Sequence, residues 1–200
     1  MLQLTTKEIF KKIWELALPY QDKRDDAGHA EIVTNFAILL CELEKASDDI
    51  IVPAAILHDI GWSQMPEGER FLIFDKNKTP EAERKVRIRH QEDGSKLANE
   101  ILTSISYPKD LSEQIIEIIS QHDTRDGFFS QEDGLMRDAD KLWRYCKIGF
   151  NSDLIRSNVI FDYLYNKREK QIDEPNFFYS ENAKQIARNE LKIRGNKFKI

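Results

Sequence analysis

Four histidines and two aspartates carry the chemistry that this sequence can support. The histidines are the full complement of the chain, and each lies at or near the end of a different predicted helix or within a separate helix. Neutral imidazole and carboxylate are ligands suited to iron, manganese, cobalt or zinc, and six such groups are enough for two metal ions with open positions. The candidate metal ligands are His29, His58, Asp59, His90, His122 and Asp140.

Plainer interpretations of the two aspartates remain open at this point. The adjacent His58 and Asp59 follow a run of apolar residues, where such a pair also fits a simple hydrogen bond at a helix end. If they bind a metal ion, the unpaired carbonyls and the negative dipole end of the helix favour that cation. Asp140 lies among apolar residues on a predicted core face, where an unpaired carboxylate is costly. A cation explains this carboxylate, and a salt bridge to Lys141 or Arg144 is the competing explanation.

Composition excludes several other classes of site and protein. Cys41 and Cys146 are the only cysteines, and both fall in amphipathic helical patterns, which indicates buried apolar residues rather than a disulfide or a thiolate zinc site. The net charge of -5 argues against a protein that coats a nucleic-acid duplex. No apolar run is long enough to span a bilayer, and the N-terminus lacks the pattern of a signal sequence. We therefore expect a cytoplasmic protein with no membrane partner.

The elements that must position these residues are predicted to be helices throughout. A first helix, capped by Thr5 or Thr6, runs to Pro19, and a second begins at His29. A short buried helix spans residues 50–57, with Pro53 in its first turn and Gly61 as its stop.

The second half of the chain continues the same helical pattern. Residues 62–80 form a long segment without clear periodicity, and the next helix carries His90, with a start on either side of Arg84. After a break at Tyr107-Pro108, another helix ends at His122, and a loop over 124–134 leads into the helix of Asp140. One helix follows Gly149 and a last one covers 180–193. No alternating strand pattern or repeat is present, so we predict an all-α helical bundle with the metal site in its core.

The length of 200 residues is most simply one domain. We assign residues 1–170 to the main domain, with the motif-bearing part at about 25–150, and residues 171–200 to a C-terminal helical extension packed on it. A monomer or a homodimer is expected.

The order His29, His58-Asp59 and Asp140 on an all-helical chain resembles the HD-domain superfamily of metal-dependent phosphohydrolases. The resemblance covers roughly residues 25–143, including Gly28-His29-Ala30-Glu31 and Asp138-Ala139-Asp140-Lys141-Leu142. It implies an HD-domain fold and a divalent-metal enzyme.

His90 and His122 further resemble the subset of HD proteins with a two-metal centre. In that subset the residue matched by Asp59 bridges the ions, one ion takes His29, His58 and Asp140, and the other takes His90 and His122. Iron is the favoured metal, and manganese, cobalt, nickel, zinc or magnesium are also compatible.

The resemblance implies hydrolysis of a phosphate ester, a nucleotide or another small phosphorylated metabolite, by a metal-activated hydroxide. Asp59 as the bridging ligand and the cations Lys141 and Arg125 are the candidate catalytic residues, with Arg87 and Arg89 as further candidates for binding substrate phosphate. Each of these cations also fits a solvated or surface-paired role. Residues that can orient the ligand histidines are Asp26, Glu31 and Asp123.

Two other functions share this ligand set. Some small HD proteins are mixed-valence di-iron oxygenases that act on a phosphonate or a polyol, and a nucleotide sensor with a vestigial site is a third possibility. Specificity is expected in residues 62–74, where Trp62, Phe71 and Phe74 either stack on a substrate or form a satellite apolar cluster. The absence of a Gly-Tyr-Pro motif argues against the phosphodiesterases of cyclic dinucleotides.

Overall fold

The structure is a computed structural model that describes residues 7–24 and 26–198, with side chains described as far as residue 196. The described residues form α-helices and short 3-10 segments, without a strand, which confirms the all-α prediction. The 3-10 segments are Leu18–Tyr20, Ile60–Gln64 and Phe71–Phe74. The α-helices are α1 (Glu8–Ala17), α2 (His29–Glu44), α3 (Asp48–Leu57), α4 (Glu67–Arg70), α5 (Pro80–Ser104), α6 (Lys109–Ile119), α7 (Gln131–Trp143), α8 (Lys147–Ser157), α9 (Phe161–Ile172) and α10 (Glu181–Phe198).

Helix α3 lies at the centre of the bundle. Every residue from Ile50 to Leu57 is buried, and α3 contacts α1, α2, α6 and α7. A helix that is apolar on all sides is stable only when other elements surround it. The residues that follow its C-terminus, His58 and Asp59, therefore start from within the core.

Helix α3 begins earlier than the sequence pattern predicts, so Pro53 lies in its interior rather than in its first turn. Asp48 and Asp49 occupy the first turn, where carboxylates interact favourably with the helix dipole, and both accept from Lys7 Nζ at 2.8 Å. Pro53 has no N–H for the carbonyl four residues before it, that of Asp49. The hydroxyl of Tyr107 donates to this carbonyl at 2.6 Å, which satisfies the freed acceptor.

Gly61 has a different role from the predicted helix stop. Helix α3 ends at Leu57, and Gly61 lies inside the 3-10 segment that packs against α5. A Cβ atom at Gly61 would overlap the carbonyl oxygen of His90 and would lie 2.5 Å from the backbone nitrogen of Gly94. The missing side chain thus lets the segment after His58-Asp59 approach the helix that carries His90.

The structure decides one helix boundary that the sequence left open and changes two predicted helices. Helix α5 begins before Arg84, because Thr79 caps it by accepting from the backbone N–H of Ala82 at 3.1 Å. Helix α7 begins at Gln131, so the predicted loop is shorter and Gly134 is helical. The single helix predicted after Gly149 is two helices, since Asn158 adopts a left-handed conformation (φ 49°) between α8 and α9.

The predicted caps Thr5 and Thr6 lie outside the described residues.

The C-terminal segment packs on the helix of Asp140. The backbone N–H groups of Tyr179 and Ser180 each donate to the Asp138 carboxylate at 2.8 Å, and Phe178 is buried in the core. Helix α10 then contacts α2, α7 and α9. Among the described helices, none is long and apolar enough to cross a membrane.

Candidate metal centre

The six predicted ligands come together at one place in the core. His29 opens α2, His58 and Asp59 follow α3, His90 lies within α5, His122 follows α6, and Asp140 lies on α7. The structure arranges the four histidines around the carboxylate of Asp59 and places Asp140 beside two of them.

The two oxygens of Asp59 face two separate pairs of histidines. Oδ2 lies 3.3 Å from Nε2 of His29 and 3.5 Å from Nε2 of His58. Oδ1 lies 3.6 Å from Nε2 of both His90 and His122. A carboxylate in this position can contact two cations at once, one through each oxygen.

Asp140 belongs to the first pair of histidines. Its Oδ1 lies 3.4 Å from Nε2 of His29 and 3.7 Å from Nε2 of His58. Within the described part of the chain Asp140 forms no ion pair with Lys141 or Arg144, the alternative that the sequence left open. The ligand atoms therefore form two groups of three, each within 4.8 Å: His29, His58 and Asp140, and Asp59, His90 and His122.

Two of the histidines are oriented by the same local hydrogen bond to the backbone. The Nδ1–H of His58 donates to the carbonyl of Ala55 at 2.8 Å, and the Nδ1–H of His122 donates to the carbonyl of Ile119 at 2.8 Å. A carbonyl can only accept, so in each neutral ring the lone pair is on Nε2, which points into the cluster. This is the tautomer that a metal ligand needs.

The other two histidines are positioned by packing. His29 begins α2 after Gly28, whose φ of 83° makes the turn into the helix, and the edge of its ring meets Trp143 at a centroid distance of 5.1 Å. His90 is fully buried and stacks on Trp62 at 4.0 Å, with the rings only 11° from parallel. The Nε1–H of Trp62 also donates to Asp59 Oδ1 at 3.0 Å, so one indole orients two residues of the second group.

The electrostatics of the two groups differ. Burial opposes protonation of His58, but the carboxylates of Asp59 and Asp140 outweigh it and raise the pKa of the ring to about 9. Burial dominates at His90 and lowers the pKa of its ring to about 3. Burial would raise the pKa of Asp59, yet Arg24 and His58 hold it well below the ordinary value. Asp59 is therefore anionic, and the group around His29 and His58 attracts positive charge more strongly.

These residues fit a pair of divalent metal ions. Four imidazoles and two carboxylates converge through atoms that are metal ligands, in a region where His29, His58, His90 and His122 are at most 5% exposed. The Nε2 atoms of His29 and His58 lie only 3.1 Å apart, and such nitrogens need either a proton or a cation between them. Nitrogen and oxygen donors of this kind suit first-row transition metals.

Arg24 is a site residue that the sequence analysis missed. Its guanidinium is ion-paired with Asp59 Oδ2, lies 3.3 Å from Asp26 Oδ2 and stacks over the Trp62 ring at 4.4 Å. It falls in a polar connection without periodicity, 35 residues from its partner. Local sequence gives no signal for such a contact. Asp26, a candidate for orienting a histidine, instead pairs with this arginine.

The structure does not bring Lys141 and Arg125 to the centre. The Nζ of Lys141 donates to the carbonyl of Phe177, and Arg125 donates to Glu117 and Gln121. Neither lines the cavity beside the six ligands among the described residues. Lys141 neighbours Asp140, but adjacent residues of a helix point about 100° apart, so Lys141 faces the C-terminal segment.

Arg87 is the predicted phosphate-binding residue that does line this cavity. Its Nη1 lies 2.8 Å from Asp123 Oδ2, and it also donates to Glu83 at 2.8 Å. Arg89 instead pairs with Glu69 outside the cavity. Asp123, a candidate for orienting a histidine, has Oδ2 3.5 Å from Nε2 of His90, which is the side of the ring that faces the other ligands.

Gln91 joins the two helices of the second group. Its Oε1 accepts from the backbone N–H of Asp123 at 2.9 Å and its Nε2 donates to Thr124 Oγ1 at 3.0 Å. The amide side chain thereby fixes the loop after His122 against the helix of His90.

The satellite apolar cluster that was one of two predictions for residues 62–74 is present. Its buried members are Trp62, Met65, Ile73 and Val86.

A cavity of about 430 Å³ opens beside the cluster. Among the six predicted ligands, His29, Asp59 and Asp140 reach its lining, together with Arg24, Arg87 and Asp123. Small molecules can therefore reach both groups of ligands from one side.

Comparison with known proteins places this site in a family. The sequence matches the HD domain family over residues 26–144, which is more than half of the chain. The chain belongs to the HD domain family. The six residues that converge in the structure all lie within the matched range, and the resemblance drawn from His29, His58-Asp59 and Asp140 is confirmed at the level of the family.

The fold of this HD domain also has a counterpart among solved structures. The crystal structure of a predicted HD superfamily hydrolase from an uncultured Thermotogales bacterium is similar, with a TM-score of 0.62 and 20% sequence identity. The similarity covers 97% of this chain and 89% of that chain. A search of curated proteins finds no match. The family and its His and Asp clusters support a metal-dependent hydrolase, and the two-metal subset stays a prediction.

Proposed function

We propose that this HD protein hydrolyses a phosphate ester of a small metabolite with the help of two divalent metal ions, iron being the favoured metal. The observation that carries the proposal is the two-sided environment of Asp59. One carboxylate oxygen faces His29 and His58 and the other faces His90 and His122. A site for a single ion would leave the second pair of buried imidazoles, His90 and His122, without a metal ion to bind.

The proposed ligands of each ion follow the two groups of neighbouring ligand atoms in the structure. His29, His58 and Asp140 would hold the first ion, His90 and His122 would hold the second, and Asp59 would bridge them. When bound, a pair of divalent ions polarises a phosphoryl group and lowers the pKa of water toward neutrality. The hydrogen bonds from His58 and His122 to backbone carbonyls keep both rings in the tautomer that this role requires.

The arginines beside the ligands supply positive charge for the substrate. Arg24 and Arg87 line the cavity and lie against Asp59 and Asp123. Guanidinium groups donate two parallel hydrogen bonds to phosphate oxygens and remain charged at all accessible pH values. We assign to these two arginines the contact with the free oxygens of the phosphoryl group that was first expected of Lys141 and Arg125.

Charge on the cavity wall also favours an anionic substrate. Eight basic and six acidic side chains line the cavity, and three of the acids are Asp59, Asp140 and Asp123, which face the histidines. The acids that face bound cations would no longer offset the arginines and lysines. The loaded site would then attract phosphorylated molecules.

A screen for phosphate release without oxygen tests this function. Protein of known metal content is incubated with a panel of nucleotides and sugar phosphates, once under anaerobic and once under aerobic conditions. We expect inorganic phosphate to be released at equal rates in both, and the Asp140→Asn variant to lose this release. Oxygen consumption with a phosphonate or a polyol, with no anaerobic turnover of any ester, would show the oxygenase chemistry instead.

A further inference from the structure

The cavity extends well beyond the candidate metal ligands. Its volume of about 430 Å³ lies within the range of about 300–1,000 Å³ that is typical of sites for small molecules. Residues of α8 and α9 line the part away from the ligands, which we call the distal end. The guanidinium of Arg156 on α8 lies 4.6 Å from the ring centroid of Phe74, so the 71–74 segment borders the same end.

Positive charge near the ligands is balanced by acids. Arg24 is paired with Asp59, and Arg87 lies 2.8 Å from Asp123 and also contacts Glu83. These arginines have carboxylate partners before any substrate enters. The charge surplus of the cavity therefore lies elsewhere.

The distal end holds that surplus. Asp153 is shared by two arginines, since it accepts from Arg156 at 2.9 Å and from Arg168. Buried Arg168 keeps an Nε without a partner among the described residues. Three more basic residues line the cavity with side chains that make no ion pair or hydrogen bond to any described residue, and we call them the distal cations: Lys76, Arg144 and Lys167.

Arg144 connects this surplus to the catalytic end. It caps the C-terminus of α7 in a helical conformation, four residues and about 6 Å along the axis after Asp140, and residues at this spacing share a face. Burial and then repulsion by Arg144 lower the pKa of Arg168, although its ion pair with Asp153 opposes this, so Arg144 is a like charge close to the Arg168 guanidinium. Cations held in this way favour binding of an anion.

We infer that the substrate carries a second phosphoryl group, separated by a spacer from the one that is cleaved, and that Lys76, Arg144 and Lys167 bind it. This inference rests on the proposed function, because it takes the first phosphoryl group to lie at the candidate metal centre. A bisphosphorylated small metabolite would bridge the catalytic and distal ends. A monophosphate would leave the distal cations unused.

Binding of non-hydrolysable compounds tests the inference without turnover. Metal-loaded protein is titrated by calorimetry, in low salt and without oxygen, with α,ω-alkane bisphosphonates of increasing chain length and with the matched alkyl monophosphonates. We expect at least one bisphosphonate to bind about tenfold more tightly than its matched monophosphonate, which is about 1.4 kcal/mol. Higher salt should reduce the preference, because these cations are exposed.

Two triple variants locate the effect. Lys76→Ala, Arg144→Ala and Lys167→Ala together should bring the ratio of the two affinities to about one. Their side chains are exposed and unpartnered, so the fold is expected to persist, and the melting temperature checks this. The matched control replaces three exposed lysines that do not line the cavity, Lys12, Lys85 and Lys170, and should keep the full preference.

The results separate this inference from the proposed function. Equal affinity for mono- and bisphosphonates at every chain length, or an equal loss in both triple variants, would overturn the distal site even if phosphate esters are hydrolysed. A preference lost only in the Lys76, Arg144 and Lys167 variant would support the site even if no ester is hydrolysed, in which case the proposed function alone would fail.

Discussion

Two His-Asp pairs of the molecule are built alike and end in different positions. His58-Asp59 follows α3 and His122-Asp123 follows α6, and each histidine donates from Nδ1 to the carbonyl three residues before it at 2.8 Å. Each aspartate contacts an arginine, Arg24 in the first pair and Arg87 in the second.

The difference lies in what each aspartate reaches. Asp59 lies within 3.6 Å of all four histidines, whereas Asp123 lies within 4 Å of only one described histidine, His90. Asp59 follows the central helix α3, which is buried from Ile50 to Leu57, and Asp123 follows a helix at its side. The same local motif is thus central or peripheral according to the burial of the helix that precedes it.

The largest expected effect comes from Asp59→Asn, which removes the charge shared by both groups of ligands. Because an amide cannot bridge two cations as a carboxylate does, we expect hydrolysis to fall by about a thousandfold or more. Both ions should be lost, as measured by elemental analysis. Asp123→Asn is the matched change in the other pair, and a loss as large as that of Asp59→Asn would refute the distinction between the two aspartates.

Removal of single histidines should separate the two groups of ligands. His58→Ala should abolish binding of both ions. The variant breaks the group that contains Asp140, and Asp59 then remains paired with Arg24 instead of bridging two ions. His90→Ala should remove one ion only, since its group has Asp59 as its shared acid. Metal analysis of both variants checks this order, and one remaining ion in His58→Ala would reverse it.

Gly61→Ala should destabilise the contact that brings the two groups together. The added methyl group would overlap the carbonyl of His90, and overpacking of this kind costs about 3 kcal/mol. For a chain of this size we expect the melting temperature to fall by about 6–12 °C. Gly68→Ala is the control, because no atom lies within 4 Å of a Cβ there, and an equal fall in that variant would exclude the close approach as the cause.

A smaller effect is expected from the arginine of the second pair. Arg87→Ala should lower kcat/KM for a phosphate ester by about 10- to 100-fold, the value of a hydrogen bond to a charged group. Arg89→Ala, on the same helix but paired with Glu69 outside the cavity, should change it less than about twofold. Steady-state kinetics of the two variants test this, and equal effects on kcat/KM would contradict a contact between Arg87 and the substrate.

The sequence predicted the ligand cluster better than its surroundings. Helical periodicity places His29, His90 and Asp140 on core faces, and the apolar run before His58 predicts a buried helix end, so these positions follow from local pattern. Arg24 and Trp62 contact Asp59 through folding of an irregular connection and a 3-10 segment, which have no periodicity to interpret.

The substrate-binding cations were chosen for their closeness to the ligands along the chain, and this criterion failed. Lys141 was chosen as the neighbour of Asp140, yet helix geometry turns it toward Phe177, while Arg144 on the next turn reaches the cavity. Arg125 was chosen because it follows His122, but the chain turns back there and the side chain pairs with α6. The spacing of four residues was the signal that could have found Arg144.

The most direct test of the central claim is the metal content of the protein purified without chelators. If Asp59 bridges two ions, elemental analysis should give close to two divalent ions per chain, and close to one in the His122→Ala variant. A value of one or less in the unmodified protein, at full metal supply, would contradict the two-sided role of Asp59.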